Sequence, residues 1–116
     1  MEIIIKDTLC SVDNTKIEAS KRWFNVNIYL QGLDLPYVKI VRYTLHPELD
    51  ELPKIVYKNV DNQNCKYSFW TWGTFIVNVE IEDYKGEIKN YQHKLEFVNE
   101  LSEKQTILIK DKTHEP

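Results

Sequence analysis

FIVNVEIEDYKGEIKNYQHKLEF, residues 75–97, reads as two strands joined by a turn. Phe75, Val77, Val79 and Ile81 alternate with Ile76, Asn78, Glu80 and Glu82. A period of two sends the first set toward a core and the second mostly toward solvent, because successive side chains of a strand point to opposite faces. Asp83-Tyr84-Lys85-Gly86 forms the connection, with Gly86 supplying the positive φ that tight hairpins favour. On the return strand Tyr91, His93, Leu95 and Phe97 share the inward face, and Asn90, Gln92, Lys94 and Glu96 the outer one. The inward assignment of His93 depends on this register, since a slip of one residue exchanges the two faces.

The same period recurs on either side. In Trp23–Leu30 the residues Phe24, Val26, Ile28 and Leu30 oppose Trp23, Asn25, Asn27 and Tyr29, as in a half-buried strand. Tyr37–Leu45 alternates Tyr37, Lys39, Val41, Tyr43 and Leu45 with Val38, Ile40, Arg42 and Thr44, and both sets contain β-branched or aromatic residues. Shorter strands are expected at Glu2–Leu9, around Ile17, at Lys54–Lys58 and Cys65–Trp70, and at Thr106–Lys110 after a loop or helical turn over Asn99–Gln105. Pro47 and Pro53 keep His46–Leu52 out of any central strand or helix interior. Seven or eight short strands without an amphipathic helix describe an all-β, two-sheet sandwich, with a small closed barrel as the rival architecture. The chain reads as a single domain over residues 1–110, followed by a polar tail, Asp111–Pro116.

Composition agrees with one soluble domain. The 116 residues suffice for one core, and 42% apolar with 28% charged residues is ordinary globular composition. A net charge of -3 gives no global attraction to nucleic acid or anionic membrane. No stretch approaches the roughly 20 apolar residues that span a bilayer. The start, Met-Glu-Ile-Ile-Ile-Lys-Asp, has neither the basic region nor the apolar run of a secretory signal. Without such a signal a cytoplasmic location is the expectation, and Cys10 and Cys65 read there as two free thiols, with a single long-range disulfide as the alternative in an oxidising compartment.

Catalytic chemistry finds little support. Ser68, His93 and several aspartates are present, but no serine stands in a nucleophile elbow. The three histidines, His46, His93 and His114, are isolated, and the cysteines lie 55 positions apart, unlike a zinc motif. Three glycines leave no phosphate-binding loop, and no cofactor is expected. Trp70 and Trp72 could stack bases, but they are not interleaved with arginine, so nucleic acid is not expected as a partner.

What stands out is an aromatic cluster: Phe69, Trp70, Trp72 and Phe75 within seven positions around Gly73. Alternation assigns Phe75 to the core and places Trp70 and Trp72 on one side near the strand edge. Gly73 is available for a conformation or a close approach denied to other residues. Both tryptophans can plug one end of the sandwich; alternatively Trp72 stands partly exposed as a flat wall for an apolar, planar or cationic group. His46, between a strand and a Pro-bounded loop, either pins that loop or lines the same site.

Val41-Arg42-Tyr43-Thr44-Leu45-His46-Pro47, followed after a loop by Trp72-Gly73-Thr74-Phe75, resembles the YEATS-domain family, especially its prokaryotic branch, over about residues 22–97. The resemblance implies an immunoglobulin-type sandwich without catalytic residues. Its eukaryotic members read acylated lysine, mainly on histone tails, between aromatic residues at a loop end. By position, His46 matches the histidine lining the acyl channel and Trp72 one aromatic wall. Leu49 falls where those readers carry the opposing phenylalanine, and Glu48 where they carry a serine that bonds the acyl amide.

Two functions follow as expectations. The first is a non-catalytic module that binds a peptide or other ligand, with acyl-lysine as the family's example, through His46, Glu48, Leu49, Trp70, Trp72 and Gly73. The second is a structural or protein-interaction domain without a ligand pocket. Either takes a protein or peptide partner.

Overall fold

The computed structural model describes residues 1–99. Nine strands follow in chain order: β1 Ile4–Leu9, β2 Thr15–Glu18, β3 Lys21–Gln31, β4 Val38–Thr44, β5 Lys54–Tyr57, β6 Tyr67–Thr71, β7 Ile76–Asp83, β8 Ile88–Lys94 and β9 Val98–Asn99. Among the described residues the one helical element is a 3-10 turn at Leu35–Tyr37. The helical turn expected beyond Asn99, the strand at Thr106–Lys110, the domain's end at 110 and the polar tail lie outside the described residues.

Each strand joins one of two sheets. In the first, the long β3 is central: β6 pairs with it along one edge, and β1 and β2 pair one after the other along the opposite edge. The short β9 adds parallel to β1. The second sheet is antiparallel in the order β5-β4-β7-β8. Strands β1 and β2 behave as one long strand broken by the polar stretch at Cys10–Asn14, where Asp13 takes a φ of 51°. The β2–β3 connection is only Ala19-Ser20, both at positive φ, 52° and 63°. That is the backbone of a tight two-residue hairpin, whose twist matches its strands.

The inner faces of the sheets make one core. Val26, Ile28, Leu30 and Phe69 from the first sheet meet Val41, Tyr43, Val77, Val79 and Ile81 from the second. Fully burying each large aliphatic side chain contributes about 1.5–3 kcal/mol. Tyr43 is completely buried, and its hydroxyl donates to the Cys65 carbonyl at 2.8 Å, so no polar cost is left uncompensated there. The expected inward faces of β3 and of β7 after Phe75 match this core. So does the hairpin at Asp83–Gly86, where Gly86 has a φ of 84°.

Two expectations need correction. Alternation through Tyr37–Leu45 is not continuous: a register shift between Val38 and Ile40 inserts a bulge against β7. Val38 therefore joins Val41 and Tyr43 in the core, while Tyr37 and Lys39 are exposed. Phe75 precedes β7 rather than starting it and is half-buried, packed on the rim of the core instead of inside it.

Candidate functional site

His46 lies two residues past the end of β4, where the chain must leave the sheet because Pro47 offers no N–H for a ladder. The turn closes on His46 itself. Leu49 and Asp50 donate their N–H groups to the His46 carbonyl at 2.8 and 3.1 Å, and the Glu48 N–H donates to His46 Nδ1 at 3.1 Å. With Nδ1 accepting, the proton of the neutral imidazole resides on Nε2, which becomes a donor.

Trp72 comes from the end of β6. Buried Thr71 holds that corner: its hydroxyl donates to the Gly73 carbonyl at 3.0 Å and accepts the Gly73 N–H at 3.4 Å. The Trp72 ring then meets His46 edge-to-face at 5.7 Å between centroids and Trp23 at 5.4 Å, the geometry that ring quadrupoles favour. His46 also meets Phe75 at 5.7 Å. Phe75 contacts Phe69, Phe69 stacks with Tyr67, and Tyr67 with Tyr43. A continuous row of rings thus runs from the buried Tyr43 to Trp72 at the sandwich end. Two ammonium groups complete the surface, Lys21 Nζ at 5.5 Å over the Trp72 ring and Lys16 Nζ at 4.5 Å over Trp70.

The six residues singled out by sequence fall in different places. His46 and Trp72 come together. Glu48 is exposed and contributes its backbone N–H rather than its carboxylate to the turn. Leu49 is partly buried against the core. Trp70 pairs with Asn25 on the outer face of the first sheet, beneath Lys16. Gly73 does not have a positive φ, and a Cβ there would meet open space, so neither conformation nor crowding demands glycine.

Trp23, Lys21 and Lys16 were missed. The available signal was Trp23 itself, an aromatic residue on the polar face of an alternating strand. His93 is inward and faces Asp7, whereas His46 meets Trp72 and Phe75. Among the described residues no group of three or more His, Cys, Asp or Glu could hold a metal ion. Hollows lie elsewhere, one of about 390 Å³ beside Asn27, Tyr29, Gln31 and Asn62, and one of about 340 Å³ beside Tyr37 and Tyr84.

The model of the prokaryotic YEATS domain matches residues 24–96, a span running from the middle of β3 through both candidate motifs to the end of the β7–β8 hairpin. The chain belongs to this family. YEATS domains are non-catalytic binding modules, and this member is one of them. Among solved structures, this YEATS domain is similar to one described as the Yaf9 YEATS domain recognizing H3K122suc peptide. The TM-score is 0.57 at 14% identity, covering 82% of this chain and 75% of that one, a likeness of fold. Among curated proteins none matches.

Proposed function

We propose that this YEATS domain binds a peptide at the His46–Trp72 end of the sandwich, with an acylated lysine as its ligand. The observation that carries the reading is the placement of the Trp72 ring beside His46 and Trp23, at the surface end of a row of rings anchored in the core. An aromatic wall held from behind is pre-organised, so binding need not bear the cost of ordering it. The similar Yaf9 domain, whose ligand is a modified histone peptide, supports the ligand class. The immunoglobulin-type arrangement of the two sheets belongs to the same reading, and the free thiols Cys10 and Cys65 suit a reducing, cytoplasmic setting.

Leu49 turned toward the core leaves Trp72 without a facing aromatic on that turn, which makes the site a one-sided wall rather than a cage. This favours a second reading, a protein-interaction domain that uses a sheet edge. The edge strand β5 bears exposed Ile55 and Tyr57, features suited to pairing with a partner's strand. Titration with acylated and unmodified lysine peptides, followed by amide and indole NMR shifts, separates the two. Saturable shifts at His46 and Trp72 for an acylated peptide support the first; no saturable shift for any peptide leaves the edge.

A further inference from the structure

We infer that Lys21 makes the Trp72 wall selective for a ligand that carries a carboxylate on a short aliphatic stem. The inference rests on the His46–Trp72 end being the binding site, and it adds the chemistry that this site prefers.

The β2–β3 hairpin brings Lys21 to the wall. With only Ala19 and Ser20 between the strands, both in the left-handed region, Lys21 pairs directly with Glu18 across the hairpin. Trp23 ties the same turn down by donating its Nε1–H to the Glu18 carbonyl at 3.3 Å. The hairpin's acid is engaged by its other lysine, since Lys16 Nζ lies 3.2 Å from Glu18 Oε2. Lys21 instead places its ammonium over Trp72.

His46 supplies the second donor. Its Nδ1 accepts the Glu48 N–H, which leaves the Nε2–H directed elsewhere, and its ring lies against Trp72. One indole thus has a cation over it and an N–H donor beside it. The exposed Glu48 lies in the His46 turn, and its own N–H is the group that sets the imidazole tautomer.

A ligand chain that covers the face of Trp72 beneath Lys21 takes the place of the ammonium on the ring. A neutral chain displaces the ammonium and offers it nothing. A chain ending in a carboxylate covers the indole with its methylenes and gives the ammonium an ion-pair partner in exchange. An unmodified lysine brings a second cation to the same place and is disfavoured. The same carboxylate can come from a dicarboxylic acyl group on lysine or from an acidic side chain of the partner.

The test titrates the whole chain with one peptide in four forms, its central position being lysine, butyryl-lysine, succinyl-lysine or glutamate. Succinyl-lysine is expected to bind about fivefold more tightly than butyryl-lysine at low salt, the scale of an accessible ion pair, with the gap narrowing as salt is added. Lys21→Gln should bring the ratio close to one, Lys21→Arg should keep it, and Lys21→Glu should reverse it. Equal affinity of the glutamate and succinyl peptides assigns the carboxylate to an acidic side chain, which supports the inference with that source. Binding of butyryl-lysine as tight as succinyl-lysine, or a ratio unmoved by Lys21→Gln, overturns the role of Lys21 while the site itself stands. Failure of all four peptides overturns the site and the inference together. Melting curves of the three variants check that the hairpin still folds.

Discussion

His93 Nε2 lies 2.6 Å from Asp7 Oδ1, a contact that joins β8 of one sheet to β1 of the other. The Asp7 carboxylate, almost wholly buried, also accepts the N–H groups of Glu96 and Phe97, at 3.0 and 2.9 Å. These bonds hold the chain as it leaves β8, where Phe97 takes a φ of 56° and its ring meets Phe24 at 5.0 Å.

Asp7→Ala strands two part-buried backbone donors and the imidazole, and should cost about 3 kcal/mol. Asp7→Asn keeps one carbonyl acceptor and should cost less. Urea midpoints at constant slope measure both, and equal losses would count against the hydrogen-bond account.

High pH should unfold the domain through its buried phenol and thiol. Burial pushes the Cys65 thiol from an ordinary 9.0 to about 11, and raises the Tyr43 hydroxyl as well, also by burial. Both groups ionise first in the unfolded chain, so stability is full below about pH 9 and falls as the pH rises toward 11 and beyond. Combining Cys65→Ala with Tyr43→Phe should flatten this decline in the unfolding free energy, whatever the two substitutions cost at pH 7.

Glycine is needed at one position and not at another. At Gly32, with φ +129°, a Cβ would stand 2.3 Å from the Glu2 carbonyl oxygen, so Gly32→Ala should lose more than about 1 kcal/mol. Gly73→Ala meets open space at an ordinary φ and should change stability by less than about 1 kcal/mol in either direction. Thermal melts of the pair decide, and a large loss at Gly73 would contradict the geometry.

Phe75 and Ile81 should respond unequally to truncation. Ile81 is 1% exposed, and Ile81→Ala should cost about 2–5 kcal/mol. Phe75 is half-buried at the rim, so Phe75→Ala should cost about 2 kcal/mol and also loosen His46, visible as a shift of its ring resonances.

Much of the fold was legible because strand alternation is local. The inward sets Val26, Ile28 and Leu30, and Val77, Val79 and Ile81, follow from the chain's own period of two, and Gly86 marks its turn by conformational need. The bulge at Val38–Ile40 was not legible, because both sets of that strand are β-branched or aromatic and either can face a core. At the candidate site His46 and Trp72 stood out by residue type and by motif, whereas Lys21 and Trp23 did not. Nothing in the order of residues ties a hairpin near position 20 to a corner near position 72.

The sequence by itself determined that this protein is built of alternating half-buried strands, that one aromatic-rich corner precedes the clearest of them, and that the motifs belong to the YEATS pattern. These properties depend on neighbours a few residues apart. Tertiary structure alone decided that Asp7 meets His93, that Leu49 turns toward the core, and that Lys21 lies over Trp72. Each of these contacts joins segments brought together only when the sheets form and pack, so their energies belong to the folded arrangement and leave no local mark in the chain.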